Sequence, residues 1–288
     1  MSIQWFPGHM FKAKKELADK LSDIDVVIEM VDARLPMSSS NPMLAALIQH
    51  KPSLKILNKQ DLADAAQTRA WLEWFAGQRN TRAIALDSGD GSPKQKILAA
   101  CRELAPHRVD SVKPLRLVIC GIPNVGKSTL INALTGRKVA KVGNEPAVTK
   151  AQQRIQLADD VILFDTPGML WPKIEHETCG EHLAASGAVG RNAMDEESVA
   201  LALIATLQRR YPAELARRYN LADVQAEDFV VLETIGRKRG AGLGGGGPRQ
   251  RAGLPQSRGR QYRLQAGRAA GHARPHGGRR AGPAARMV

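Results

Sequence analysis

Long apolar runs are missing from this chain of 288 residues. None reaches the roughly 20 residues that a helix needs to span a bilayer. The opening stretch MSIQWFPGHMFKAKK lacks the continuous apolar segment of a signal peptide, and the sequence carries no lipidation motif. We therefore expect a cytoplasmic protein without a membrane partner.

Cysteine is also scarce. The chain has Cys101, Cys120 and Cys179, which are odd in number and widely spaced. Without a C-x-x-C pair, they suggest neither a disulfide framework nor a zinc site. The sequence therefore predicts buried thiols in a reducing compartment.

Acidic residues and lysine are absent after Gly240, where ten arginines stand among glycine, proline and alanine. The formal net charge is +14, but without those arginines 32 basic residues face 28 acidic ones, so most of the basic character lies in this tail. Because the tail has too little apolar surface to offset its ordering entropy, residues 240–288 are predicted to be disordered. Two interpretations stay open: a frameshift between Gly240 and Gly247, and a genuine RNA-binding extension.

Apolar segments of strand length alternate with helical patterns over the first part of the chain. The strand-like segments are DVVIEMV, KIL, TRAIAL, LRLVICG and DVILFD. This alternation is typical of a parallel α/β sheet whose ligands bind at the carboxyl ends of the strands. Only helical patterns follow Ile174, so we predict an α/β domain in residues 1–172 and a small α-helical domain in residues 173–239.

Residues 121–128, GIPNVGKS, fit the phosphate-binding pattern G-x-x-x-x-G-K-[ST] between a predicted strand and a predicted helix. In such a loop, backbone N–H groups and the positive end of the helix bind phosphate oxygens. Lys127 would reach the terminal phosphates and Ser128 would ligate Mg²⁺. The residues predicted to contact the phosphates are Pro123, Asn124, Val125, Gly126, Lys127, Ser128 and Thr129. The alternative is a glycine-rich turn that matches by chance.

A second magnesium ligand needs an acid at a neighbouring strand end, and Asp165 in LFDTPG supplies one. The backbone N–H of Gly168 would then meet the γ-phosphate. Taken alone, DTPG is also the sequence of an ordinary turn. Together with the phosphate loop, it favours a nucleotide site.

The polar run NKQD follows another predicted strand and has the chemistry of a base-reading turn. Asp61 presents two acceptor oxygens, which complement two adjacent N–H donors of guanine. Asn58 would reach guanine N7 or the surrounding loops, and Lys59 belongs to the same turn. Asp87 and Ser88 follow a further strand, where the Ser88 N–H would meet guanine O6. A polar helix cap is the alternative, but the phosphate loop in the same chain favours GTP.

The base-reading turn precedes the phosphate loop. In order, NKQD, DSG, GIPNVGKST, Thr149 and DTPG are the parts of a Ras-like GTPase in rotated sequence. We therefore predict a circularly permuted Ras-like P-loop GTPase domain, since a sheet with adjacent termini tolerates such a rotation. In this arrangement the segment after DTPG leads into the helical domain, so the nucleotide state can bias the orientation of that domain.

The motifs IQWFPGHM, VDARLPMSS, NKQD, GIPNVGKSTLIN and DTPGMLWPK together resemble the ribosome biogenesis GTPase A family over residues 1 to about 239. The resemblance implies a bacterial factor that binds the large ribosomal subunit, both rRNA and ribosomal proteins, late in assembly. It also implies that the factor hydrolyses GTP to GDP there. A GTP-dependent RNA-binding module with incidental hydrolysis is the alternative.

Met169 and Leu170 occupy the place where Ras-like enzymes carry the glutamine that orients the attacking water. Neither side chain can hydrogen-bond water, so we expect slow unaided hydrolysis. The resemblance suggests His9 as the missing catalytic group, carried on a flexible WFPGHM segment. The alternative is a structural turn in which Trp5 and Phe6 pack while His9 is solvated.

Two further predictions come from the resemblance. Thr149 matches the catalytic threonine that closes over Mg²⁺ and the γ-phosphate, although Ala147 stands where the family usually has glycine. Asn124 resembles the asparagine with which some related GTPases use K⁺, so potassium is predicted to stimulate the enzyme.

Basic side chains suggest contacts with rRNA. Lysines lie beside aromatic residues near the N-terminus, a mixture suited to phosphate contact and base stacking, and arginines recur in the helical region. These residues are Lys12, Lys14, Lys15, Trp5, Phe6, Phe11, Arg209, Arg210, Arg217 and Arg218. The alternative for both groups is a solvated helix face.

Overall fold

The computed structural model describes residues 5–87, 93–108, 112–140 and 153–239. Its strands are β1 (Val26–Asp32), β2 (Ser53–Asn58), β3 (Thr81–Ala85), β4 (Leu115–Gly121), β5 (Gln153–Ala158) and β6 (Val161–Asp165). Its α-helices are α1 (Gly8–Lys20), α2 (Pro36–Ser39), α3 (Pro42–Ile48), α4 (Ala65–Ala76), α5 (Pro93–Leu104), α6 (Lys127–Thr135), α7 (Glu177–Ala185), α8 (Glu196–Arg210), α9 (Pro212–Tyr219) and α10 (Asp228–Lys238). A mixed α/β region is therefore followed by helices alone within the described residues.

The six strands form one sheet in the order β3-β2-β1-β4-β6-β5. Neighbouring strands from β3 to β6 are parallel. In the register, Asp32 at the end of β1 faces Asn58 at the end of β2, and Asp165 at the end of β6 faces Ile119 of β4. The carboxyl ends of four strands thus meet at one edge, which is where a parallel sheet binds its ligands.

Strands β1 and β6 are buried along their whole length, and β2 and β4 at all but one residue each, as expected for a parallel sheet that is covered on both faces. Their apolar sequence is interrupted by Glu29 in β1 and Lys55 in β2, which are register partners and form a buried ion pair. Each charge is compensated by the other, so the interior of the sheet accommodates both.

Strand β5 differs from the expected parallel sheet. It pairs antiparallel with β6 at the edge of the sheet, and exposed side chains alternate with buried Ile155 and Leu157. This strand was not predicted from the sequence. The expectation of a parallel sheet is therefore correct for five strands and wrong for the sixth.

The N-terminal segment is packed against the protein, in contrast to the flexible segment that was expected. Helix α1 buries Met10, Ala13 and Leu17 on one face, which matches helical spacing. Trp5 and Phe6, just before the helix, pack against the same core. The start of the described chain is thus attached to the sheet domain.

The main core continues past residue 172. Ile174, Leu183 and Val189, within and beside α7, belong to the same buried cluster as the sheet. Helices α8, α9 and α10 bury Ile204, Leu215 and Val231 respectively. The domain boundary between residues 172 and 173 stays a prediction. No helix among the described residues is long and apolar enough to cross a membrane.

Candidate nucleotide-binding site

The phosphate-binding pattern lies on the strand, loop and helix that it requires. Strand β4 ends at Gly121 and α6 begins at Lys127. Gly126 between them has φ = 107°, and a β-carbon there would collide with the side chain of Asn58, so glycine is needed on both grounds. Ser128 is half-buried and Thr129 exposed in the first turn of α6. This geometry presents a helix N-terminus to an anion.

The ammonium of Lys127 is buried beneath the loop. Its Nζ donates to the carbonyl oxygens of Gly121 at 3.2 Å and Ile122 at 2.8 Å. Burial lowers the pKa of Lys127 to about 8, and the negative charge of Asp165 partly opposes that shift. A phosphate at the loop would favour the charged form again.

Asp165 has the properties of a magnesium ligand. Within the described residues, both of its carboxylate oxygens are buried without a hydrogen-bond partner. Burial raises the pKa of Asp165 to about 6, against the opposing effect of Lys127. Mg²⁺ in phosphate sites uses one or two carboxylates and takes its other ligands from phosphates and water. The Asp165 carboxylate and the Ser128 hydroxyl fit that donor set.

The DTPG segment lies directly on the phosphate loop. A β-carbon at Gly168 would stand 2.7 Å from Pro123 Cα and 3.2 Å from Lys127 Nζ, so only glycine permits this approach. The next residue, Met169, donates its N–H to the carbonyl of Gly121 at 3.1 Å. Gly168, whose N–H is predicted to meet the γ-phosphate, therefore lies beside Lys127, whose ammonium is predicted to reach the terminal phosphates.

The base-reading turn is joined to the same loop. Asn58 Nδ2 donates to the carbonyl of Val125 at 2.9 Å, and Lys59 Nζ donates to that of Asn124 at 3.1 Å. Asp61 follows in the 3-10 helix Gln60–Leu62, where its side chain is exposed. Two motifs more than sixty residues apart in sequence are thus adjacent in the fold.

The end of β3 adjoins the base-reading turn. Gln60 donates its backbone N–H to the carbonyl of Leu86 at 3.1 Å, and its Nε2 contacts Asp87 Oδ2 at 3.4 Å. Asp87 therefore lies beside the NKQD turn. Ser88 lies outside the described residues, as do Ala147 and Thr149.

His9 lies in the first turn of α1, half-buried, with its ring edge-on to Trp5 at a centroid distance of 6.3 Å. The adjacent Met10 accepts the backbone N–H of Leu170 on its sulfur at 3.4 Å. The start of α1 is thus in contact with the segment after Gly168. Met169 and Leu170 are fully buried, so neither side chain reaches solvent.

Three polar residues at this site make hydrogen bonds that were not predicted. Asp32 accepts hydrogen bonds from Arg34 and Lys59. Asn41 donates through Nδ2 to the carbonyl of Met169 at 2.9 Å, while Asn124 Nδ2 donates to that of Gly187 at 2.7 Å. The available signal was the polar run VDARLPMSSSNP after β1, since polar residues at strand ends mark ligand sites in parallel sheets.

A phosphate loop, the NKQD turn bonded to it and a buried carboxylate without a hydrogen-bond partner among the described residues define a P-loop nucleotide-binding protein. A family model described as 50S ribosome-binding GTPase matches residues 116–234. The chain is 43% identical over 253 residues to ribosome biogenesis GTPase A of Bacillus cereus, covering 85% of each protein. It is 44% identical to that of Bacillus licheniformis, over 85% of the chain and 89% of the relative. It is also 36% identical to mitochondrial ribosome-associated GTPase 1 of Mus musculus, over 82% of the chain and 76% of the relative.

The chain therefore belongs to the ribosome biogenesis GTPase A family. GTP hydrolysis is the enzymatic class of this family, and guanine nucleotide is its ligand. The family, the α/β GTPase fold and the enzymatic class predicted from the sequence are confirmed.

Proposed function

We propose that the chain binds GTP with Mg²⁺, hydrolyses it to GDP and acts as a late assembly factor of the large ribosomal subunit. The observation that carries this proposal is the convergence of residues 121–128 and the NKQD turn at one edge of the sheet, joined through Asn58 and Lys59. The names of the relatives, which refer to ribosome biogenesis and ribosome association, support the ribosomal role.

In the proposed complex, Asp61 accepts hydrogen bonds from guanine, and the phosphates lie along residues 123–129 with Lys127 at the terminal groups. Asp165 and Ser128 hold Mg²⁺, and Thr149 completes the site from outside the described residues. Mg²⁺ neutralises charge on the transferring phosphoryl group when it is bound. Lys127 adds a buried positive charge to the same region.

We further propose that the GTPase domain is circularly permuted. The NKQD turn follows β2, and the phosphate loop follows β4, which comes later in the sequence. In the sheet, β1 alone separates these two strands. Rotating the chain order would place β4 first without changing any strand pairing. DTPG would then stand in mid-domain, whereas here it leads into α7.

His9 is the proposed catalytic group for water. The position of His9 supports this role. Helix α1 begins beside the segment that follows Gly168, where Met10 contacts Leu170. Because Met169 and Leu170 are buried, the water must be oriented by another group, and an imidazole can do this near neutral pH.

The His9→Ala variant is expected to lose most of the ribosome-stimulated turnover, by about a hundredfold or more, since that is the usual size of a general acid–base contribution. GTP binding should change little. The measurement is the steady-state GTPase rate with saturating large subunits. His50→Ala, at an exposed histidine, is the matched control. Unchanged stimulation in His9→Ala removes His9 from the mechanism.

Asn124 is the proposed residue for potassium dependence. It lies in the phosphate loop with φ = 55°, and its carboxamide already joins the loop to Gly187. We expect faster turnover in K⁺ than in Na⁺ at constant ionic strength, and expect Asn124→Ala to lose the difference. Equal rates in the two salts would refute this part of the proposal.

The proposed rRNA-binding surface has two parts. On α1, Phe11 is 64% exposed and Lys12 and Lys15 lie beside it, opposite the buried face of that helix. On α8 and α9, the exposed arginines are Arg209, Arg210, Arg217 and Arg218, all in last turns, where they also complement the helix dipoles. Trp5 and Phe6 pack inward, so Phe11 is the aromatic side chain of this group that is exposed for stacking.

A second candidate function is a GTP-dependent RNA-binding module with incidental hydrolysis, which the buried Met169 and Leu170 favour. Comparing GTPase rates without particles, with large subunits and with small subunits separates the two. An assembly GTPase should respond to large subunits and not to small ones. A rate that large subunits leave unchanged would favour the binding module.

A further inference from the structure

Asp32, the last residue of β1, is almost completely buried and is surrounded by donors. Its Oδ1 accepts from the backbone N–H of Arg34 at 3.1 Å and from Arg34 Nε at 2.9 Å. Its Oδ2 accepts from Arg34 Nη2 at 2.7 Å and from Lys59 Nζ at 2.8 Å. Burial alone would raise the pKa of Asp32, but the hydrogen bonds from Arg34 and Lys59 lower it. The carboxylate is therefore a negatively charged link between two cations.

Lys59 connects this link to both halves of the proposed nucleotide site. The same ammonium that donates to Asp32 also donates to the Asn124 carbonyl in the phosphate loop. Lys59 has φ = 63° and ψ = 36°, a left-handed conformation that is unfavourable for a residue with a β-carbon and persists only when its surroundings impose it. Asp61 follows two residues later, so the direction of its side chain depends on this turn.

Arg34 extends the link toward the base reader. Its guanidinium is fixed to Asp32 by two hydrogen bonds. The pKa of Arg34 is raised mainly by the hydrogen bond to Asp32, and the negative charge of Asp61 adds a smaller effect in the same direction. Asp32 thereby holds one cation that reaches the phosphate loop and another that lies in the field of Asp61.

We propose that Asp32 is a positioning residue for guanine recognition, which fixes the left-handed turn at Lys59 so that Asp61 meets the Watson–Crick edge of the base. This inference rests on the proposed guanine-nucleotide site. In this proposal, the Asp61 carboxylate recognises the exocyclic amino group of guanine, a donor that hypoxanthine lacks. The carboxylate of Asp61 distinguishes the two bases only when it is held in place.

The chain offers a matched control at the other end of the same strand. Asp25, just before β1, is also buried, and it accepts hydrogen bonds from Arg108 Nε and from the backbone N–H of Arg116, each at 2.8 Å. Substituting Asp25 also removes a buried, hydrogen-bonded carboxylate, but at the amino end of β1, away from the edge of the sheet where the proposed nucleotide site lies. A purely structural role for Asp32 predicts that both substitutions behave alike.

The test is the ratio of GDP to IDP affinity, measured by competition in the parent, Asp32→Asn and Asp25→Asn proteins, with thermal unfolding of each. Asn keeps the shape of Asp32 but replaces one acceptor with a donor that faces cations. The ratio is expected to fall by about tenfold in Asp32→Asn, within the range for hydrogen bonds to charged groups. Asp25→Asn should unfold at a lower temperature with the ratio unchanged.

A ratio in Asp32→Asn equal to that of the parent overturns the proposal, even if the variant is less stable. If Asp32→Asn does not fold, Arg34→Gln releases one side of the carboxylate at a more exposed position, and it should lower the ratio several-fold. An unchanged ratio there also overturns the proposal. A parent protein that does not prefer GDP over IDP and ADP would instead refute the proposed guanine site itself.

Discussion

Burial shifts the pKa values of the two ionisable side chains of the phosphate site, Asp165 and Lys127, in opposite directions. The pKa of Asp165 is raised to about 6, so this group favours the folded state when protonated, and that contribution is lost as pH rises from about 4 through 6. The pKa of Lys127 is lowered to about 8, so its unfavourable contribution is present below pH 8 and is relieved as pH rises toward its usual value. Near pH 7 both groups are charged and destabilising until phosphate and Mg²⁺ compensate them.

Mg²⁺-dependent nucleotide binding is therefore expected to weaken as pH falls through about 6, because Mg²⁺ must then displace the proton on Asp165. One pH unit below that pKa should cost about tenfold in apparent Mg²⁺ affinity. Titrating Mg²⁺ against a protein–nucleotide complex from pH 7.5 to 5 measures the effect.

The Asp165→Asn variant separates the effect of Asp165 protonation on Mg²⁺ affinity from the effect of protonating the nucleotide phosphates. The variant should bind Mg²⁺ more weakly at every pH and show a smaller pH dependence. If the parent and the variant depend on pH in the same way, Asp165 is not the titrating ligand.

At the scale of elements, Asn41 joins the start of α3 to the segment after DTPG. Its Oδ1 accepts from the N–H groups of Met43 and Leu44, and its Nδ2 donates to the Met169 carbonyl. Asn41→Ala should cost about 2 to 4 kcal/mol of unfolding free energy, because a helix cap and a buried hydrogen bond are lost together. Denaturant unfolding measures it.

Asp64 is the comparison, since it is exposed and accepts a hydrogen bond from the N–H of Gln67, and its hydrogen bonds among the described residues are all to the first turn of α4. Asp64→Ala should cost about 1 kcal/mol and leave GTPase turnover unchanged, whereas Asn41→Ala should also slow turnover. Equal effects of the two variants on turnover would contradict a role for Asn41 in holding the DTPG segment.

The elements that the sequence predicted well are those with local signals. The phosphate loop has a fixed spacing between a buried strand and an amphipathic helix, and Gly136 ends that helix with φ = 67°. Strand β5 has no such signal: half of its side chains are exposed, and its antiparallel pairing with β6 is a tertiary contact. The bonds from Asp32 to Lys59 and from Asn41 to Met169 join distant residues, so no local pattern encodes them.

At the scale of the molecule, the phosphate loop is bonded to the connection that leads to the last helices. Gly121 accepts from Met169 at one end of that connection, and Asn124 donates to Gly187 near the other. Trp5 packs against Gly190, where a β-carbon would lie 3.0 Å from its ring. We propose that a change at the γ-phosphate is transmitted through these contacts to α1 and to the α7–α8 connection, and that this leads to release from the ribosome.

The most direct test of the central claim, that Asp61 reads a guanine base whose phosphates lie on residues 121–128, is the preference between GDP and XDP. Xanthine carries a carbonyl where guanine carries the exocyclic amino group, so an amide at position 61 complements xanthine and a carboxylate complements guanine. Equilibrium competition should show that the parent prefers GDP and that Asp61→Asn shifts the GDP/XDP ratio toward XDP by about a hundredfold. Asp64→Asn should leave the ratio unchanged. If Asp61→Asn retains the preference of the parent, the base is not read by this turn and the account is wrong.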